Sequence, residues 1–327
     1  MLKSFNYRNL KHFVKSSFVA TFIALSCYST ASAEWKPQKA IRIILPNAAG
    51  GTGDMELKAM QPDLEKEFGV PVTFDYMTAG GVAMYAYVYK SRPDGYTLGY
   101  YSSPSANIKE ATGVFGGIDS MKDFDFIINV SSEYRCLVAQ PDAPYNNLKE
   151  FLAWCKEGHK PSIAFSGIGS SSHFQILQIE DKCGIKLNTV PFRGNSPAKA
   201  AFLGKHVELW AIDVAGSLAQ VKAGKCKVLA VCAPSRSKEL PDVRTFREDG
   251  YDVIASANRG IVAPAGTPQE VKQKIADAFL AAKDGESMKK YCETVGMTPN
   301  MVTFDDYKAL VKSLGEAAIK YKNEFVK

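Results

Sequence analysis

The sequence predicts an α/β protein built as two doubly wound lobes, joined by a two-strand hinge with a ligand cleft between them. Three observations predict it. Short apolar runs alternate with segments of helical periodicity, the pattern of parallel sheets covered by helices. The cycle occurs twice, each time with a glycine-rich turn between a strand and a helix, at residues 46–54 and 166–173. Two further extended segments, near 130–138 and 253–261, link the two cycles, and lobes joined by two strands can hinge. The expected division is a leader over residues 1–33, a first lobe of residues 34–134 plus 256–327, and an inserted second lobe of residues 135–255.

The leader is read from its own chemistry. Lys3, Arg8, Lys11 and Lys15 occur without any acid, residues 17–29 are mostly apolar but too short for a stable span, and Ala31-Ser32-Ala33 is a small-x-small cleavage site. The mature chain is then expected to begin near Glu34 and to be exported. Removing the four basic residues of the leader lowers the net charge from +6 to +2. With no Lys/Arg block of patch length, nucleic acid is not an expected partner. Roughly 290 residues remain, more than one core usually holds. The mature chain keeps six cysteines, an even count that permits disulfides in an exported protein. Buried thiols with at most one bridge are expected, and Cys155–Cys183, flanking one strand–helix unit, is the first pair to inspect. No Cys/His spacing of zinc type occurs, so neither metal nor cofactor is expected.

The apolar run 41–45 reads as a buried strand that stops at Pro46, and a helix begins at Met55. Residues 70–75 form the second strand, 82–90 a short helix, and 97–101 a third strand entered through the turn Pro93-Asp94-Gly95. Residues 123–130 are another strand, followed by a loop and an extended piece at 134–139. The second cycle opens with Asn147 as cap of a helix over 148–156, with Glu150 at capping-box spacing. Strands follow at 162–166, 187–191, 209–212 and 228–232, alternating with helices at 174–182, 197–202 and 214–223. After the extended segment 253–262, helices at 269–283, 286–295 and 304 onward carry apolar residues every three or four positions and are expected to pack on the first lobe.

Strand, glycine turn, helix points free backbone N–H groups at an anion. Gly50, Gly51 and Gly53 remove side chains that would hold a ligand away. The two turns are expected to clamp a carboxylate from opposite walls. Candidate contacts are Asn47, Ala48, Ala49, Gly50 and Gly51 in the first, and Ser166, Gly169, Ser170 and Ser171 in the second, with Ser102 at the end of the third strand. Of two other readings of the turns, one fails on spacing and the other is kept as a less favoured alternative. The dinucleotide fingerprint lacks its third glycine, replaced by Glu56, and no phosphate-loop Gly-Lys-Ser/Thr exists. A hydrolase would need Ser170 or Ser172 activated by His173, yet no nucleophile-elbow motif is present; His173 reads better as a first-turn residue bonded to its own loop. Asp213, between a strand and a helix, is either a helix cap or a cleft residue that would favour an amine or hydroxyl donor on the ligand. Arg259 is the preferred reader of a second carboxylate over Arg193 and Arg42. Tyr76, Tyr85, Tyr100 and Tyr101 line the cleft or fill the core.

Several motifs occur in a fixed order: Ile41-Arg-Ile-Ile-Leu-Pro46 with Ala49-Gly-Gly51 and Asp54, Pro93-Asp-Gly-Tyr-Thr-Leu98, Ser166-Gly-Ile-Gly-Ser-Ser-Ser-His173, Val190-Pro-Phe-Arg-Gly194, Leu240-Pro-Asp-Val243 and Ala263-Pro-Ala-Gly-Thr-Pro268. From about residue 36 to the C-terminus the chain resembles the Bug-type periplasmic solute-binding proteins of tripartite tricarboxylate transporters, the TctC-like family. The resemblance implies a type II periplasmic binding protein fold without catalysis. It implies that the lobes close on a small carboxylate (a di- or tricarboxylate, amino acid or aromatic acid), held by residues 47–51 and 166–171 and passed to membrane permease subunits by a monomeric receptor. A ligand-presenting periplasmic sensor is the alternative role. The chain departs from the family pattern at residues 75–81, at Arg193 and at Asn258-Arg259-Gly260, where the distal end of a ligand would lie.

Overall fold

One sixteen-residue strand, β4 (Phe124–Ala139), runs through both halves of the molecule. The computed structural model describes residues 35–46, 49–78, 82–295, 297 and 299–326; the expected leader and two candidate contacts, Asn47 and Ala48, lie outside them. Strands β1 (Ile41–Leu45), β2 (Val72–Tyr76) and β3 (Thr97–Ser103) form a parallel set with β1 in the middle. The antiparallel strand β9 (Ser256–Pro264) joins β3 to the first part of β4, pairing from Phe124↔Pro264 to Tyr134↔Ser256. The last part of β4 instead pairs with β7 (Leu209–Asp213) and β8 (Lys227–Cys232). Beyond β7 lie β5 (Ser162–Phe165) and β6 (Asn188–Pro191), both parallel to their neighbours. The short β10 (Val302–Thr303) pairs with Asn129 and Ile128 of β4.

The sequence led us to expect two extended pieces separated by a loop where β4 is continuous. The loop signal came from the polar residues Ser131, Ser132 and Glu133. In the fold these absorb register shifts against β9 between Asn129 and Ser131, and a bulge lets a strand bend without ending.

The helices follow the sequence signals closely at most ends. Helix α1 (Thr52–Phe68) starts three residues before the expected Met55, because Gly51 is already extended as its N-cap; it stops at Gly69, whose φ of 69° suits a left-handed cap. Helices α2 (Ala83–Tyr89), α3 (Ser105–Ala111) and α4 (Ser120–Asp123) complete the first half. In α5 (Leu148–Lys156) the expected capping box is present: Glu150 N donates to Asn147 Oδ1 at 3.0 Å and Asn147 Nδ2 to Glu150 Oε1 at 2.7 Å. Helix α6 (Ser171–Cys183) is capped by Ser170, and α7 (Asn195–Leu203) and α8 (Val214–Lys222) follow.

Alternation along the second-half strands assigns side chains to opposite faces. Leu137, Phe165 and Leu209 enter one cluster with Phe151 and Ile179, while Val138, Ala164 and Trp210 enter another with Phe202 and Val231. The first half is packed by an aromatic set, Tyr85, Tyr101, Phe124, Phe126 and Tyr307, meeting mainly edge to face. Tyr85, Tyr100 and Tyr101 are therefore core residues.

The tail forms α9 (Gln269–Ala282), α10 (Glu286–Val295) and α11 (Phe304–Lys320). Helices α9 and α10 pack on α1, and α11 packs on α3 and β4. The tail also reaches the other half: Ala318, Tyr321 and Phe325 form a cluster with Ile108 of α3 and with Phe174 and Leu177 of α6. Asp181 of α6 accepts from Tyr321 at 2.9 Å and is ion-paired with Lys320. The described cysteines are free thiols; Cys155 and Cys183 lie in the same apolar cluster without a bond.

Candidate functional site

The first glycine turn is organised by a carboxylate inside it. Asp54, in the first turn of α1 and 1 % exposed, accepts from Gly50 N at 2.6 Å, Tyr76 OH at 2.6 Å and Lys58 Nζ at 2.9 Å. Burial alone would push this carboxyl up; the three donors outweigh it and hold Asp54 below its ordinary range. Gly50 takes a φ of 81°, so its glycine is required by the turn. Gly53 answers a different need from the one expected of it. A Cβ there would lie 2.6 Å from the Tyr100 ring, so the missing side chain admits an aromatic residue of the protein itself. Ala49 and Gly50 are exposed, and Gly51, the N-cap of α1, makes no side-chain cap.

The second turn is closed by its own hydroxyls. Ser166 N donates to Ser172 Oγ at 3.0 Å, Ser170 Oγ donates to Gly167 O at 2.6 Å, and His173 N donates to Ser170 Oγ at 3.2 Å. Gly169 N donates to His173 Nδ1 at 3.3 Å, which requires that nitrogen to be unprotonated; burial, against Phe165 and Phe325, pulls the imidazole below its ordinary pKa. The imidazole therefore serves its loop, as expected, and Ser170 Oγ meets the backbone of His173 instead of its ring. A Ser–His nucleophile is not assembled. Ser171 Oγ accepts from Arg135 Nη1 at 3.1 Å.

Asp213 realises both alternatives open in the sequence. Its Oδ1 accepts from Gly216 N at 2.7 Å as the cap of α8, and its side chain also borders a cavity of about 580 Å³. That cavity is lined by Gly50, Thr52 and Met55 from the first turn and α1, Ala215 and Gly216 of α8, Tyr291 of α10 and Glu133 of β4. Ser166, Gly169, Ser170 and Ser171 do not line it; Gly169 instead faces Ile108 of α3. Ser102, partly buried on β3, is paired in register with Arg259.

Arg259 differs most from expectation. Its side chain is 13 % exposed, its Nη2 lies 2.9 Å from Glu133 Oε2, and it is not among the residues that border the cavity. Glu56, fully buried, accepts from Tyr100 OH at 2.9 Å in the same region, and burial raises its carboxyl while Arg259 opposes the rise. Arg193 is exposed, and Arg42 is held by Asp75 and Tyr87 on the surface. Two residues that sequence reading missed are central here, Glu133 and Arg135, both on β4. Arg135 is 2 % exposed and donates to Gln175 Oε1, Ser171 Oγ and Ala211 O. The available signal was the charge alternation Glu133-x-Arg135 within an otherwise apolar extended segment.

Among the described residues no group of His, Cys, Asp and Glu could hold a metal, and no helix is long and apolar enough to cross a membrane.

Comparison with known proteins follows the same lines. The sequence profile of the "Tripartite tricarboxylate transporter family receptor" matches residues 57–318. The Bordetella pertussis protein BugT is 26% identical over 299 residues, covering 90% of this chain and 91% of its own. A TctC solute-binding protein from Polaromonas, solved without ligand, superposes with a TM-score of 0.79 at 25% identity, over 88% of this chain and 99% of that one. MatC from Rhodopseudomonas palustris, solved with bound malate, has the same fold at a TM-score of 0.70 and 24% identity, over 89% of this chain and all of its own.

Proposed function

Because the chain belongs to the tripartite tricarboxylate transporter family of receptors, whose members are solute-binding proteins and not enzymes, we propose that it captures a small carboxylate in the cavity between α1 and α8. The observation that carries the reading is the N-terminus of α1: its N-cap, Gly51, has no side chain to cap it, and Gly50, Thr52 and Met55 border a cavity that Ala215 and Gly216 of α8 also line. Unbonded N–H groups and the positive end of the helix dipole suit a carboxylate, worth about 0.3–1 kcal/mol from the dipole alone. Asp54 shapes the approach to that terminus without facing the ligand. The second turn acts from behind, through Ser171 and Arg135, on the strand end that bears Asp213.

The lobes in this reading are residues 34–134 plus 256–327 and residues 135–255, and they move about β4 and β9 where both strands pass from one half to the other. The receptor works in the periplasm after loss of residues 1–33 and hands its ligand to membrane permease subunits. A thermal-shift screen of the mature protein against mono-, di- and tricarboxylates tests the binding claim. A ligand at 100 times its dissociation constant adds about 2.7 kcal/mol of stability. No shift with any carboxylate would remove the proposal.

A further inference from the structure

The two strands that link the halves carry a cavity on each face. Along β4, Glu133 borders the cavity between α1 and α8, while its neighbours Ser132 and Tyr134 border a second one, of about 440 Å³. The pairing with β9 agrees. Asn258 and Ser256, opposite Ser132 and Tyr134, border the second cavity, and Arg259, next along the strand, meets Glu133 on the first face.

The walls of this rear cavity come from different halves. Helix α6 supplies Phe174, Gln178 and Lys182, and α11 supplies Leu310, Leu314 and Ala317. The two walls are fastened to each other at one end. Asp181 of α6 accepts from Tyr321 OH at 2.9 Å and is ion-paired with Lys320, and the Tyr321 ring meets Phe174 edge to face at 5.9 Å. Leu177 and Phe325 extend the apolar part of this contact. Asp181 does not serve its own helix, because a carboxylate in the last turn of α6 sits at the negative end of the helix dipole. Away from the fastening, the rear cavity offers little resistance to widening. Ser132, Ser256 and Asn258 give it polar sides, and the buried Nε2 of Gln178 has no partner among the described residues, so water entering there has groups to bond.

We propose that Asp181, Lys320, Tyr321 and Phe174 form a clasp behind the hinge that sets ligand affinity without touching the ligand. The proposal rests on the carboxylate capture and lobe movement proposed above. The crossing of β4 and β9 lies between the two cavities, so a rotation about it that narrows the front cavity widens the rear one. The clasp ties α6 to α11 with the rear cavity narrow. Closure on a ligand therefore draws Asp181 away from Lys320 and Tyr321. A free receptor held in this way populates the closed form less, and its apparent dissociation constant rises by the inverse of that population. Loosening the clasp tightens binding, the reverse of what loss of a ligand contact does.

Titration calorimetry of the mature protein with the acid giving the largest thermal shift tests this on Asp181→Ala, Lys320→Ala and the double variant. Melting temperature and small-angle scattering of the ligand-free proteins are the parallel readouts. The Asp181 and Lys320 side chains are partly exposed, which screens their pairing. The expected gain in affinity for Asp181→Ala is about fivefold, the net effect of one hydrogen bond. Lys320→Ala should show a smaller gain, and the double variant no more than Asp181→Ala, because both changes remove the same contact. Ligand-free Asp181→Ala should also scatter more like ligand-bound wild type than ligand-free wild type does. Unchanged affinity in Asp181→Ala, whatever its melting temperature, would reduce the contact to packing and overturn the proposal. Weaker binding would assign the clasp to the closed form and overturn it equally, while leaving carboxylate capture intact. Failure of every acid to bind folded wild type would overturn carboxylate capture itself, and the clasp's effect with it.

Discussion

Asp54→Ala tests whether an internal carboxylate shapes the first turn. The substitution removes three bonds, from Gly50 N at 2.6 Å, Tyr76 OH at 2.6 Å and Lys58 Nζ at 2.9 Å. Lys58 is 46% exposed, so its ion pair adds little in water. The other two are bonds to a charged acceptor whose side chain is fully buried, each worth about 1.5 kcal/mol at the low end of the usual range, giving a loss of about 3 kcal/mol. For a chain of this size that is about 6 °C in Tm, since each kcal/mol moves the midpoint by about 2 °C. Asp54→Asn should recover only part, because its amide nitrogen cannot accept from Gly50 N. Denaturant unfolding followed by circular dichroism gives the stability, and amide exchange at Gly50 gives the local effect: exchange should accelerate more there than in β1. A variant within about 0.5 kcal/mol of wild type, with Gly50 still protected, would refute the reasoning.

Three further outcomes follow from other parts of the molecule. Gly260→Ala on β9 would place a Cβ inside the Ile128 carbonyl and 2.5 Å from the Tyr307 ring, so the strand crossing should be destabilised by about 3 kcal/mol or more in urea unfolding. His173, pulled below its ordinary 6.5 by burial, stays neutral in the fold while the unfolded chain protonates; its contribution is full above pH 6.5 and declines as pH falls from there toward the folded pKa. His173→Gln, which can still accept from Gly169 N, should therefore show a flatter stability profile below pH 6.5, measured by pH-dependent melting. Thiol titration of the unfolded mature protein should find all six cysteines reactive, whereas Cys155, pushed to about 11 by burial, should react slowly in the native state.

Sequence periodicity located most strands and helices because each carries its own local signal. The capping box Asn147–Glu150 and the cap that Asp213 gives to Gly216 N are each contained within four residues. What escaped reading depends on residues far apart in the chain. Glu133 and Arg135 looked like loop and strand filler; their meaning comes from Arg259 across β9, and from Gln175, Ser171 and Ala211. Gly53 was read as room for a ligand because nothing local announces Tyr100 beside it. The expected clamp has the same limit: Ser166 and Ser170 are candidate ligand contacts by sequence, while their turn folds so that both hydroxyls pair with that of Ser172. The tail was expected on the first lobe, and its contact with Phe174 and Asp181 depends on pairs about 140 residues apart, beyond any local pattern.

The central claim, that a carboxylate binds between α1 and α8, is met most directly by calorimetric titration of wild type and Ala215→Trp with the acid giving the largest thermal shift. Ala215 is partly exposed at the start of α8 and borders the cavity, so an indole there occupies ligand space without entering the core. The expected result is one equivalent bound by wild type and none by the variant, at matched melting temperatures. Undiminished binding by a folded Ala215→Trp would place the ligand elsewhere and contradict the account.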